Sequence, residues 1–193
     1  MPAELLDQVN EKDEIIGVMT RHDAHTKFLL HRVESTWFYN DKQEVLLQKR
    51  SMKKDMFPGV LSISASGHVD HGQTREEAAI REIFEETGLK IRYEDLTFLE
   101  RKIVAKPPLA HFPTLYAYKF NGNVDDLKFD KEEVESFVWV PVLDLYNVHA
   151  RLRDNFHPFI TSPEHLSVYV KLLKLMGIKA KESDFINGAK ELA

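Results

Sequence analysis

The stretch from Gly67 to Leu89, GHVDHGQTREEAAIREIFEETGL, constrains this chain more than any other. It runs from a glycine loop into a helix that carries Glu82, Glu85 and Glu86. At spacings of i, i+3 and i+4 the three glutamates share one helix face. Like charges so placed repel, by about 0.2–0.5 kcal/mol per pair in an isolated helix. A solvated face would scatter basic residues among them, so a divalent-cation site is the economical reading. Both helix ends are specified: Thr74 and Glu77 make a capping box at the start, and Gly88 supplies a left-handed residue at the end. Ala79, Ile80, Ile83 and Phe84 are expected to form the stripe that packs inward, with the glutamates on the side away from it. Arg81 lies one turn before Glu85 and can pair with it.

The chain has 193 residues, enough for a sizeable core plus an extension or two. Its hydrophobic content of 43% and charged content of 30% are those of an ordinary soluble protein. A net charge of −5 argues against general binding to nucleic-acid backbones. With no cysteine, disulfides and thiol catalysis are excluded. The acidic start, MPAELLDQVNEKDE, lacks the apolar core of a secretory signal, and no apolar run is long enough to span a membrane. The expected location is the cytoplasm, with no membrane or nucleic-acid partner.

Read in order, LLDQVNEKDE is a lead-in strand with a turn at Asn10 to Asp13, and Glu14 to Arg21 a first full strand. Val33 to Asn40 is rich in aromatic and β-branched residues, Asn40-Asp41-Lys42 turns, and Glu44 to Lys49 pairs back. Arg50 to Asp55 is a basic loop, and Val60 to Ala65 a strand leading into the glycine loop. Beyond the helix, strands are expected within Leu96 to Ala105, Thr114 to Phe120 and Ser136 to Val140, with Lys106-Pro107-Pro108 as an interruption. Asp125 to Glu135 reads as an acidic loop. Helices are expected over Val142 to Arg153 and Pro163 to Met176, the second with Leu166, Val170, Leu173 and Leu175 on an apolar face. Ala180 to Ala193 reads as a short helix or a frayed tail. This layout suggests a mixed sheet between helices.

The central stretch resembles the signature of the Nudix hydrolases. Gly67, Arg81, Glu82, Ile83, Glu85, Glu86, Gly88 and Leu89 all match in register, and Gln73 stands where the family has its first glutamate. The resemblance implies an α/β fold, an α/β/α sandwich with a mixed β-sheet. It implies one domain over residues 1–193, with the signature at 67–89 and a C-terminal helical extension over about 141–193. It also implies hydrolysis of a nucleoside diphosphate linked to another group, with Mg²⁺, or else Mn²⁺, as cofactor. Glu82 and Glu86 are then the leading metal ligands, with Glu85 alongside. One of the three, or a loop glutamate, acts as general base. Arg81 orients Glu85, while Gly67 and Gly72 let backbone pass close to metal or phosphate. Gln73 keeps a hydrogen-bonding side chain without the charge; it weakens a second metal if the family's glutamate is a ligand there, and changes little if it orients. Glu132 and Glu133 sit in a loop that supplies an extra carboxylate in many such enzymes, or is a solvated acidic loop. Arg50, Lys53 and Lys54 are candidates to hold a terminal phosphate, or form a solvated turn. Dimerisation is common among such enzymes, so a homodimer is one expectation.

A closer resemblance lies upstream. HTKFLLHR, STWFYN and VLLQKRSMKKDMFPGVLSISASGHV look like the isopentenyl-diphosphate isomerase branch of the same superfamily. Those isomerases use a cysteine just before the Gly-His pair, where this chain has Ser66. His25, His31, His68 and Glu133 match isomerase metal ligands, with Lys131 in place of a further glutamate. They form a second, imidazole-containing site suited to Mn²⁺ or Zn²⁺, or are structural residues of a shared scaffold. His71, His111, His149, His157 and His165 show no ligand spacing. Trp37, Phe38, Tyr39 and Trp139 are core aromatics before they are base-stacking groups. The first expectation is a pyrophosphohydrolase acting on a small-molecule diphosphate. The others are an isoprenoid diphosphate isomerase and a weakly active nucleotide-binding sensor.

Overall fold

The computed structural model describes residues 3–145, 155–161 and 165–182. Its strands form one mixed sheet with the order β10-β4-β3-β1-β2, and β9 lies parallel to β3. The strands are β1 (Leu5–Val9), β2 (Ile15–Thr20), β3 (His31–Tyr39), β4 (Glu44–Arg50), β5 (Leu61–Ser62), β6 (Ala65–His68), β7 (Thr97–Arg101), β8 (Val104–Lys106), β9 (Leu109–Lys119) and β10 (Val134–Pro141). The helices are α1 (Arg21–Thr26), α2 (Arg75–Thr87), α3 (Pro158–Thr161) and α4 (Leu166–Leu175).

The hairpin turns β1–β2 and β3–β4 use one device. The side-chain oxygen of Asn10 accepts from the amides of Lys12 and Glu14, and Asp13 takes a positive φ of 65°. Asn40 does the same for Lys42 and Glu44, with Gln43 at 66°. An Asx side chain thus stands in for a backbone acceptor.

β3 organises the sheet, and its alternation separates two cores. Trp37 and Tyr39, with Val45 and Leu47 of β4, face α4, whose Tyr169 ring meets Trp37 edge-on at 5.7 Å. Phe38 and Leu46 point the other way and pack with Ala65 and with Ile83 of α2. The sheet therefore lies between two helices, the α/β sandwich expected. Trp37 and Phe38 are fully buried, and Trp139 stacks on Phe120. On α4, Leu166, Val170 and Leu173 are buried, whereas Leu175 is 39% exposed.

Several expectations need correction. Phe84 is exposed, and the buried apolar side of α2 is made by Ala78, Ala79 and Ile83. Glu86 shares that buried side and is 4% exposed, so the glutamate ridge straddles the helix–sheet seam and does not face away from it. The strand expected over Val60 to Ala65 is two short ones, β5 and β6, which pair with β4 and β3 respectively. The prolines at 107 and 108 form the turn of the β8–β9 hairpin. Helix α1 follows β2 directly, capped by Thr20, whose hydroxyl accepts from the Asp23 amide; its six residues are too few for periodicity to announce. The helix expected over Val142 to Arg153 lies mostly outside the described residues, as does the end of the chain after residue 182.

Helix α2 is held at three points. Thr74 and Glu77 form the capping box, and Gly88 closes the helix at φ 74°. Arg75, in the first turn, crosses to the sheet: it donates to Glu34 Oε1 at 2.5 Å and Thr114 Oγ1 at 2.9 Å, and to both Asp13 oxygens at 2.9 and 3.0 Å. Nothing in the local sequence sets Arg75 apart; its partners come from the β1–β2 turn, β3 and β9.

Candidate active site

A cavity of about 380 Å³ opens where the glycine loop, α2 and β4 meet. Glu82, Glu85 and Glu86 line it, as do Arg50, Lys54 and Glu133. His25, His68 and His111 also line it, with Glu4 and Arg21.

Each glutamate has a distinct setting. Glu86 is fixed through Oε2, which accepts from Gln48 Nε2 and from the Ser66 amide, both at 2.8 Å. Glu82 meets Arg81 Nη1 at 2.7 Å. Burial, reinforced for Glu82 by the charge of Glu86, pushes both carboxyls well above the ordinary glutamate range. Such a pair fits a cation, because burial leaves the two charges short of compensation. Glu85 is about half exposed and takes Arg81 Nη1 at 3.0 Å. Arg81 also donates from Nη2 to the His68 carbonyl at 2.8 Å and to Gln73 Oε1 at 3.3 Å. Gln73 Oε1 in turn accepts from the Asp70 amide at 3.4 Å. Gln73 therefore holds Arg81 and the loop with its neutral oxygen.

Lys54 is paired with Glu133, and the exposed Lys53 with Glu132. The backbone of Glu133 accepts from the Ser51 amide at 3.0 Å, joining the two loops. Arg50 donates to the carbonyls of Phe57 at 3.2 Å and Met56 at 3.0 Å, and burial lowers its pKa against the opposing pull of Glu86 and Glu133. Of the residues singled out from sequence, the cavity gathers Glu82, Glu85, Glu86, Arg81, Glu133, Arg50, Lys54, Gly67, His25 and His68. Lys53 and Glu132 pair at the surface, and Gly72 faces open space.

His31 is buried beside the cavity, 5.2 Å from the His25 ring and 5.1 Å from that of His68. His111, passed over for want of ligand spacing, sits 4.9 Å from His31, because the parallel β3–β9 register sets the two side by side. No local spacing encodes a neighbour eighty residues away. Gln48 and Glu4 were also missed; a glutamine inside the apolar run of β4 was the available hint.

The NUDIX domain profile matches residues 29–161, so the chain belongs to the NUDIX family. Within it, an isopentenyl-diphosphate Delta-isomerase of Enterobacter is 28% identical over 156 residues, covering 80% of this chain and 85% of that one. A Nudix hydrolase of Deinococcus radiodurans is 38% identical over 88 residues, covering 46% of this chain and 52% of its own. The crystal structure of DR0079, also from Deinococcus radiodurans, superposes with a TM-score of 0.68 at 25% identity, over 81% of this chain and 95% of that one. Among the described residues no helix is long and apolar enough to cross a membrane.

Proposed function

We propose that the chain is a metal-dependent pyrophosphohydrolase that cleaves the diphosphate bond of a nucleoside diphosphate linked to another group. The observation that carries this reading is one cavity lined both by the carboxylates of the partly buried Glu82 and the buried Glu86 and by the cations Arg50 and Lys54. Paired carboxylates suit a hard dication, and the cations in the same cavity suit phosphate oxygens. Mg²⁺, or Mn²⁺ in its place, would be held by Glu82 and Glu86 with Glu85 at the rim, and when bound supplies charge neutralisation and a more acidic water. Gln48 and the Ser66 amide hold Glu86 in place for this, and Arg81 holds Glu82 and Glu85. Lys54 and Arg50 bind and orient the diphosphate. Water attacks one phosphorus as the bridging P–O bond breaks. Its proton passes to a carboxylate oxygen of Glu85 or Glu133, both of which keep contact with solvent. The same reading takes residues 1–193 as one cytoplasmic domain acting on a small molecule, with a homodimer as its assembly.

The second reading, isomerisation of an isoprenoid diphosphate, draws support from the isomerase relatives. Against it stands Ser66, at the position of the isomerase cysteine, with its hydroxyl 2.8 Å from that of Ser35. A serine hydroxyl is a far weaker acid than a thiol. The test is formation of the nucleotide and of the second phosphorylated product (pyrophosphate or a phosphomonoester) from nucleoside triphosphates, nucleotide sugars and dinucleoside polyphosphates, with Mg²⁺ and with Mn²⁺, on wild type and Glu86→Gln. Isopentenyl diphosphate is assayed in parallel for isomer formation. Hydrolysis lost in the variant supports the first reading; isomer formation without hydrolysis replaces it with the second. Binding without turnover on any substrate points to a sensor.

A further inference from the structure

The cavity is also lined by residues that neither the glutamates nor the phosphate-binding cations account for. Met56, Phe57, Ile63 and Phe159 give it an apolar surface, and His157 lines it with them. Phe57 and His157 come from distant segments of the chain and meet with ring centroids 4.4 Å apart and planes at 67°. Both are held in place. Arg50 donates to the carbonyls of Phe57 at 3.2 Å and Met56 at 3.0 Å. Phe57 takes a left-handed φ of 53°, which a bulky residue rarely adopts and which tends to mark functional sites. The His157 amide donates to the Leu61 carbonyl at 2.8 Å, beside a parallel bridge between Leu61 and Phe156, so the segment ahead of α3 is tied to β5.

The His157 ring has a fixed tautomer. Its Nδ1 accepts from the Phe159 amide at 3.2 Å, so that nitrogen carries no proton. Burial and the charge of Arg50 hold its pKa down at about 3, so the ring is neutral near pH 7 and its one proton sits on Nε2. Among the described residues nothing accepts from Nε2. His157 therefore offers a single donor beside the Phe57 ring, within the field of a cation that the diphosphate reading uses.

We infer that Phe57 and His157 bind the nucleobase of the substrate: the planar ring stacks on Phe57, and an acceptor on its edge, a carbonyl oxygen or a ring nitrogen, takes the Nε2–H of His157. This deepens the hydrolase reading and rests on it for the presence of a nucleotide. An apolar tail laid at the same place would strip water from the Nε2–H and give it no partner, a cost that a base avoids. Every base has a face to stack and an acceptor on its edge, so the pair reads the presence of a base and not which base it is.

The test measures binding, not turnover, on the full chain in Mg²⁺. The probes are the α,β-methylene nucleoside diphosphates of all four bases, methylenediphosphonate alone, and its isopentenyl monoester. In wild type each nucleoside form is expected to bind about tenfold or more tighter than methylenediphosphonate, and tighter than the isopentenyl ester. Phe57→Ala should remove most of that gain. His157→Phe keeps a ring and loses the donor, so it should weaken the nucleoside forms about three- to tenfold and leave the isopentenyl ester no weaker. Neither variant should change the affinity for methylenediphosphonate. Equal wild-type affinity with and without the nucleoside overturns the inference, as do losses that extend to methylenediphosphonate. Where a variant does not fold, the wild-type series decides: an isopentenyl ester bound as tightly as the nucleosides overturns the inference, and a clear preference for the nucleosides sustains it. No bond breaks in this assay, so base recognition without hydrolysis leaves the inference standing while the hydrolase reading fails. Hydrolysis by a protein that gains no affinity from the base does the reverse.

Discussion

The carboxylate of Glu82 occupies the space that a side chain at Gly67 would fill: a Cβ built there stands 2.0 Å from Glu82 Cδ. Gly67 is required by this approach and not by a left-handed backbone. Gly67→Ala should push Glu82 out of the cavity at little cost to the fold, since the displaced atoms end a flexible side chain. Metal affinity and hydrolysis are expected to fall about 10–100-fold. Mg²⁺ titration of the rate, set beside thermal unfolding of the metal-free protein, checks this; a large fall in unfolding temperature would contradict it.

Gln73 works through its oxygen, which accepts from Arg81 and from the Asp70 amide. Gln73→Glu keeps that oxygen and should change the hydrolysis rate by no more than a few-fold, with the number of bound metal ions unaltered. Gln73→Ala removes one of the partners that orient Arg81, leaving Glu82, Glu85 and the His68 carbonyl, and should cost about tenfold, as loss of an orienting partner does. Metal stoichiometry measured on all three forms decides between an orienting and a ligating role.

Lys54 is tied to Glu133 across the cavity mouth. Lys54→Ala should raise KM about tenfold, equivalent to about 1.4 kcal/mol of lost binding, and leave the unfolding temperature nearly unchanged. Steady-state kinetics at saturating Mg²⁺ provide the measurement. An unchanged KM would remove Lys54 from substrate binding.

Away from the site, Glu100 of β7 accepts from Lys171 Nζ at 2.7 Å and Ser167 Oγ at 2.8 Å, fastening α4 to the sheet. Burial raises the pKa of this carboxyl, but Lys102, Lys171 and Ser167 outweigh burial and hold it at about 2, below the ordinary 4.5. A depressed carboxylate stabilises the fold above its unfolded pKa and loses that contribution as pH falls toward the native value. Glu100→Gln should therefore cost about 1.5–3 kcal/mol at pH 7, and the difference from wild type should shrink between pH 4.5 and about 2. Urea unfolding of both forms across that window reads it directly; a constant difference would count against the assignment.

Elements with a local cause were legible in the sequence. The α2 capping box, Gly88, the Asn10 and Asn40 turns and the β3–β4 hairpin all depend on residues within a few positions of each other, whereas β9 was expected only from Thr114 and begins at Leu109. What was not legible depended on pairing at a distance. Phe84 looked like core because periodicity gives a helix face without saying what covers it. Glu86 is buried because Gln48 and the Ser66 amide meet it there, and His111 joins His31 only through the β3–β9 register. Arg75 reads as an ordinary first-turn residue until Asp13, Glu34 and Thr114 are brought around it.

That last contact bears on how the protein can be cut. The family profile begins at residue 29, yet Asp13 grips Arg75 at the root of α2, and Glu4 meets His68 at the end of β6. The N-terminal hairpin is thus a brace for the helix that carries the glutamates, as much as a cover for the sheet. A fragment trimmed to the homologous boundary would keep every signature residue and lose the strut that sets their angle.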